Sequence, residues 1–476
     1  MPTPQPQLRQ PGPATARLPF TGASFSGASA RTPSFRLAVL AGAVLFGSLL
    51  AGAAFGQSAE MGLPSIAKDR GLRTGDFLLR PSVGVIGHYD TNVFNASPQE
   101  VLNNPIHPAA SLRIVPKLSL QNDLTGNTVF NFVAAGDARV YLSGEQIVKN
   151  LNAFGGNAAL DVTFGQRKPI GFTLFDMFTR SLRANNWETQ QTFNRNANDV
   201  GARVEFHPGD VPERRPFNIA LMGSYALDRF DDYSNFNTNT IRTRMNGSWR
   251  FLPKTAAYID ATWDFRSYSN PFLITNNLAS NSKPFRARLG ASGAITKRIS
   301  FDLNAGWGMA LISNPSVPSF NSYVAGASFG FRPTDSTRLS LGYNHDLRDA
   351  YLGSFAESHR MSFSAKQRFG SMVDLVIGAN VSYLKYGAAC CSSPDVILVV
   401  GAAGVPGLPG YFQRKDWQID GSVAASFEVS RFVALQIGYN LRSVITPFKL
   451  TSKTVAVLDA GEYTAHEMFA SVTARY

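Results

Sequence analysis

Charge is what this sequence has least of: Asp, Glu, Lys and Arg make up 16% of its 476 residues, against about 25% in soluble domains. Such a deficit fits a large surface that never meets water. Cysteine is almost absent, reduced to the adjacent pair Cys390-Cys391. Neighbouring cysteines cannot staple distant parts of a fold, which leaves two loop thiols, a vicinal disulfide or a thiol contact with a partner. Beyond residue 54 no apolar run reaches the roughly 20 residues a membrane helix needs. With a mean hydropathy of −0.08, a helical membrane transporter is excluded.

The one long apolar run is residues 37–54, LAVLAGAVLFGSLLAGAA, directly behind Arg31 and Arg36. Residues 1–56 hold four arginines and no acid, and the run closes on Ala54-Phe55-Gly56. A basic start, an apolar stretch and small residues at the cut read as a cleaved signal peptide. The expected division is therefore a signal peptide over 1–56, a short periplasmic segment over 57–76 and one domain over 77–476. Of the net charge of +12, four units lie in that leader, leaving +8. Nucleic-acid binding would need a basic patch within a recognisable module, and none is present. An anion-favouring lumen and a basic rim facing periplasm or lipopolysaccharide are the alternatives.

What is abundant is alternation of period two, the mark of strands with lipid on one side and water on the other. Ile241, Thr243, Met245, Gly247, Trp249 and Phe251 alternate with Arg242, Arg244, Asn246, Ser248 and Arg250. Ala257, Ile259, Ala261, Trp263 and Phe265 then oppose Asp260, Thr262, Asp264 and Arg266. The same rule holds over 285–292, 301–309, 417–428 and 433–442.

Short connections fall at 123–127, 165–169, 207–216, 252–255, 296–298, 332–337, 370–371 and 429–431, with longer polar stretches between them. One strand on each side of every short turn, with an opening strand at 77–89 and a closing one at 463–476, gives 16 to 18 strands. The fold expected is all-β, a transmembrane antiparallel up-and-down β-barrel in the outer membrane of a Gram-negative cell. An even strand count puts both termini in the periplasm. The closing strand ends on the aromatic Tyr476, which resembles the signal read by the barrel-assembly machinery.

Catalytic and cofactor motifs are missing. Gly326-Ala327-Ser328-Phe329-Gly330 matches G-x-S-x-G, but lies inside an alternating strand rather than at the strand-to-helix turn a nucleophile needs. The six histidines show no helical i, i+4 or strand i, i+2 pairing among themselves, so no metal site is expected. No cofactor and no enzyme is implied. The interior holds the remaining chemistry: Arg242, Arg244, Arg250, Arg286 and Arg288, with Arg180 and Arg183, against Asp260, Asp264, Asp302, Asp416, Asp420 and Glu428. Charged rings of this kind set selectivity in pores; the same charges could instead pair across strands and plug the barrel. The 386–414 connection, with Cys390-Cys391 and an apolar Gly/Pro-rich stretch, reads as a constriction, a cap, a partner contact or an extension of two strands.

Residues 80–94, RPSVGVIGHYDTNVF, resemble the opening of the beta-barrel porin 2 family, with its Pro, alternating strand and Tyr-Asp-x-Asn segment followed by Val or Ile and then Phe or Tyr. The resemblance implies an outer-membrane barrel whose relatives are associated with exopolysaccharide production and export, and hence polysaccharide-export components as partners beside lipid and lipopolysaccharide. The function expected is passage of hydrophilic solute. A plugged structural or partner-binding barrel is the rival, and an outer-membrane hydrolase ranks third.

Overall fold

In a computed structural model of the chain, the described residues begin at 71 and run to 476, interrupted at 99–104, 123–125, 186–191, 209–215, 232–236, 270–280, 314–318, 349, 351–354, 388, 391–395, 401–403, 406–407, 413, 448 and 453–460. The leader, Cys391 and the side chain of Arg183 lie outside them.

Eighteen barrel strands follow one another: β1 (Phe77–Asp90), β2 (Ala109–Asn122), β3 (Thr128–Tyr141), β4 (Ala153–Phe164), β5 (Ile170–Asn185), β6 (Thr192–Phe206), β7 (Phe217–Phe230), β8 (Thr238–Leu252), β9 (Thr255–Tyr268), β10 (Ser282–Ala294), β11 (Ile299–Ile312), β12 (Phe320–Phe331), β13 (Thr337–Arg348), β14 (Ala356–Phe369), β15 (Val373–Tyr386), β16 (Lys415–Glu428), β17 (Val433–Ile445) and β18 (Tyr463–Arg475). Each pairs antiparallel with its sequence neighbours, and β1 pairs with β18, Ser82 opposite Arg475 through Asp90 opposite Glu467, so the sheet closes. Closure leaves no unpaired edge, which is what allows a sheet to sit in lipid. The strand count is the upper value of the expected range.

The outer face carries large apolar side chains strand after strand: Ile241 and Met245, Ile259 and Trp263, Leu289, Leu303 and Trp307, Leu341, Ile437. Leu289 is 66% exposed, a state water would punish and a hydrocarbon layer removes. Phe164, Phe206, Phe331, Phe369 and Phe427 ring the end with the short turns, while Trp263, Trp307, Tyr323 and Trp417 ring the other. These are the aromatic girdles of a spanning barrel.

The short turns join strands tightly at one end. At Pro253-Lys254 two residues suffice, with Leu252 opposite Thr255. Gly165 takes φ +72° between β4 and β5, and a Cβ there would fall 2.5 Å from the Ile170 carbonyl oxygen, so the turn requires glycine. Tyr476 lies at this same end, its N–H 3.2 Å from the Pro81 carbonyl and its ring stacked on Phe432. The segment before the barrel is not wholly irregular, because Leu72–Thr74 forms a short strand folded back on the start of β1.

At the opposite end the connections build structure of their own. Between β15 and β16, Ala389–Cys390, Gly404–Val405 and Leu408–Phe412 form a small three-stranded sheet. Val396–Val400 pairs with Lys449–Ser452 of the β17–β18 connection. Of the four readings of the 386–414 stretch, the extended-strand one is nearest, with the difference that the apolar run pairs with a different loop.

Candidate functional site

Alternation fixes which residues turn inward, since each lies between two lipid-facing neighbours. Arg242, Arg244 and Arg250 share the face of β8 opposite Ile241, Met245 and Trp249, and Asp260 and Asp264 take the matching face of β9. The inward charges meet in pairs. Arg244 donates to Asp260 through Nε at 3.0 Å and Nη2 at 2.5 Å, and the Asn246 amide donates to the same carboxylate. Asp264 stands opposite Arg242 in register. Arg250 is exposed near the two-residue turn.

Other pairs reach past the neighbouring strand. Arg242 Nη1 donates to Asp199 Oδ2 at 2.6 Å, crossing β7 where the inward residues are the small Ser224 and Ala226. Arg286 and Arg288 of β10 converge on Asp346 of β13, at 2.9 and 2.5 Å. The strand between them and β12 offers Gly308 opposite Arg286 and Gly306 opposite Arg288. Without side chains there, nothing on β11 stands between the guanidinium groups and the carboxylate. On β2 and β3, Arg113 forks onto Asp137 at 2.9 and 2.6 Å, relieving its position directly opposite Arg139.

These pairs line the wall rather than fill it. The partners at Asp199, Asp260 and Asp346 keep about a fifth of their side-chain surface exposed, as do Arg242, Arg286 and Arg288. Asp302, Asn304, Ser328, Asn344, Arg360 and Ser362 border a polar recess of about 240 Å³ in the same wall. Asp302 there accepts from the Tyr258 hydroxyl at 2.8 Å. Asp420 faces Asn380 on one side and Arg442 on the other. Glu428 lies on β16 beside the short turn, opposite Ala434.

Two placements differ from expectation. Asp416 is not a wall residue open to solute: its side chain and that of Arg414 are wholly buried, with Arg414 Nε 2.9 and 3.0 Å from the two carboxylate oxygens and the guanidinium 5.4 Å over the Tyr386 ring. Arg180 falls on the outer face of β5 with Phe172, Leu174 and Phe178, where it pairs with Asp231 at 2.7 Å. Its even position gives it the lipid-side parity. Asp137, Asp199 and Asp346 were not singled out in the sequence, although strict alternation along β3, β6 and β13 would have turned each of them inward.

At the loop end the segment that carries the Tyr-Asp-x-Asn motif is clamped to the barrel. Asp90 Oδ1 accepts the Asn92 N–H at 2.8 Å, and Thr91 exchanges two hydrogen bonds of 3.0 Å with His466 of β18. The Asn92 side chain accepts from the Ala96 N–H at 2.7 Å and donates to the Ala96 carbonyl at 2.8 Å. That clamp sends Val93 into a cluster with Ala109, Tyr141 and Val148, flanked by Phe94 and Leu151. Beside it Glu467 accepts from His88 at 2.9 Å, Asn440 at 3.2 Å and Arg442 at 3.5 Å, tying β1, β17 and β18 together at the seam. Asn92→Ala should free the 91–98 segment at a local cost of about 1–3 kcal/mol. Amide exchange there should accelerate by roughly tenfold or more, and unchanged exchange would argue against the clamp.

No family model matches the sequence, and no curated protein matches it either. Among solved structures it is similar to OpdK of Pseudomonas aeruginosa, solved with vanillate, at 10% identity and a TM-score of 0.45, covering 84% of this chain and 99% of that one. It is similar to OccK2 (OpdF) of the same organism in complex with glucuronate, at 9% identity and a TM-score of 0.46, over 84% and 98% of the two chains. The siderophore receptor PirA of Pseudomonas aeruginosa matches at 9% identity and a TM-score of 0.39, over 84% of this chain and 80% of that one. At these identities the likeness is one of fold.

Proposed function

We propose that this chain is an outer-membrane channel that lets hydrophilic solutes pass through the barrel, with both termini and the short turns in the periplasm. The observation that carries the reading is the interior: arginine and carboxylate pairs spread along the wall, each keeping part of its side-chain surface exposed, within a closed ring whose outer face is apolar. Such a wall offers hydrogen bonds and fixed charges to a polar solute. The basic excess of the chain favours anionic or polyhydroxylated solutes. Reconstituted into planar bilayers, the folded barrel should give step-like single-channel currents. A correctly folded, inserted protein that gives none would sink the reading and leave the plugged, partner-binding barrel in its place.

The export role implied by the Tyr-Asp-x-Asn segment is the narrower form of the same proposal. It predicts reduced secreted polysaccharide in a strain lacking the gene.

A further inference from the structure

At the loop end of β13 and β14 the outer face breaks its apolar rule. His345 and His359 stand directly opposite each other in the antiparallel register, and Glu357 lies two residues before His359 on the same face. The two imidazole rings stack with centroids 4.2 Å apart and 14° between their planes. Tyr323 packs on His345 at 4.3 Å. His345 Nε2 is 2.9 Å from Glu357 Oε1, and the Tyr343 hydroxyl is 3.0 Å from His359 Nδ1. One ligand-capable atom from each of His345, Glu357 and His359 lies within 4.8 Å of the other two.

Packing alone accounts poorly for this set. The His345 side chain is wholly buried, yet its Nδ1 has no hydrogen-bond partner, an unfavourable arrangement in an apolar setting. Two imidazoles and a carboxylate gathered beside a girdle of aromatic rings are better explained by a cation they share. The hydroxyl of Tyr343 can accept the Nδ1–H of His359, which leaves Nε2 with its lone pair, the way an outer partner fixes a ligating tautomer.

We infer that His345, Glu357 and His359 form a binding site for a divalent transition-metal ion of the zinc class on the outer wall of the barrel, at the loop-end interface. Imidazole nitrogens suit zinc, cobalt, nickel and copper, whereas calcium and magnesium, the ions that bridge anionic headgroups, prefer all-oxygen shells. Three protein ligands leave a fourth tetrahedral position open to water or an anionic group from the surface around it. Glu357 and His359 are the less buried members, and Lys385 Nζ lies 3.6 Å from the second Glu357 oxygen. The sequence cue is the Glu-x-His spacing on one strand, which a search for paired histidines passes over.

The test is titration of the purified, detergent-folded full chain with Zn²⁺ by calorimetry and with Co²⁺ by visible absorption. One ion per chain is expected, with the d–d bands of a four- or five-coordinate cobalt site, and an excess of Ca²⁺ or Mg²⁺ should not displace it. Glu357→Gln and His359→Gln, each checked for an unchanged β-sheet spectrum and melting temperature, should weaken binding at least tenfold. His345 is packed between two rings, so the two less buried ligands are the positions to change. Absence of stoichiometric binding, displacement by calcium, or full affinity in both folded variants would overturn the site. None of these readouts depends on whether the barrel conducts, because the cluster is on the wall face away from the lumen.

Discussion

Replacing Arg286 and Arg288 together by alanine is expected to shift the zero-current potential of the channel toward cation preference. The two guanidinium groups share one carboxylate, Asp346, at 2.9 and 2.5 Å, so the trio contributes a single excess positive charge and its loss leaves an unpaired negative one. That change of two charges, felt by a permeating ion at about 8 Å through water, is worth roughly 0.5–1 kcal/mol after screening at 0.1 M salt. It corresponds to roughly a two- to fivefold change in the local partition of a monovalent anion. The measurement is the reversal potential across a KCl gradient, with Arg286→Lys, Arg288→Lys as the control that keeps charge while losing the fork. Unchanged potentials in the alanine variant would show that this part of the wall does not face the permeating ions.

Gly306→Val should disrupt the barrel far more than its single side chain suggests. A Cβ on Gly306 would lie 1.9 Å from the Ala287 carbonyl oxygen and 2.7 Å from the Arg288 Cα. Both are backbone atoms of β10, so no rotamer change can relieve the overlap. The strands must separate, and the ladder around Ala287 opposite Trp307 and Arg288 opposite Gly306 is lost with them. The cost should be about 3 kcal/mol or more, and the valine would also obstruct the path of Arg288 toward Asp346. Gly223→Val is the matched control: its Cβ meets nothing within 4 Å, and valine has the better strand propensity. Denaturant unfolding from detergent micelles compares the two, and equal midpoints would refute the close-approach argument.

Most of the architecture was legible in the chain itself. A strand between lipid and water must separate its faces residue by residue, so Ile241 to Phe251 declares both its conformation and its orientation without reference to any partner. Short connections join neighbouring antiparallel strands, and counting them leads to 16 to 18 strands, the upper value being the one observed. Alternation is also why Arg242, Arg244, Arg286 and Arg288 are identifiable as inward, whereas Arg180 shares the outward parity of Phe172, Leu174 and Phe178.

The pairings were not legible. Arg286 and Asp346 are 60 residues apart and three strands apart, and their contact is helped by Gly306 and Gly308, which clear the nearer of the two strands between. Asp416 obeys alternation yet is wholly buried against Arg414, a contact that no periodicity describes. His345 and His359, in different strands, become neighbours only through the register of β13 with β14. Period-two patterning is a local property of one strand against its solvent and fixes which face a residue takes. Register, closure and the reach of a side chain across a glycine belong to several strands at once, and only the folded barrel decides them.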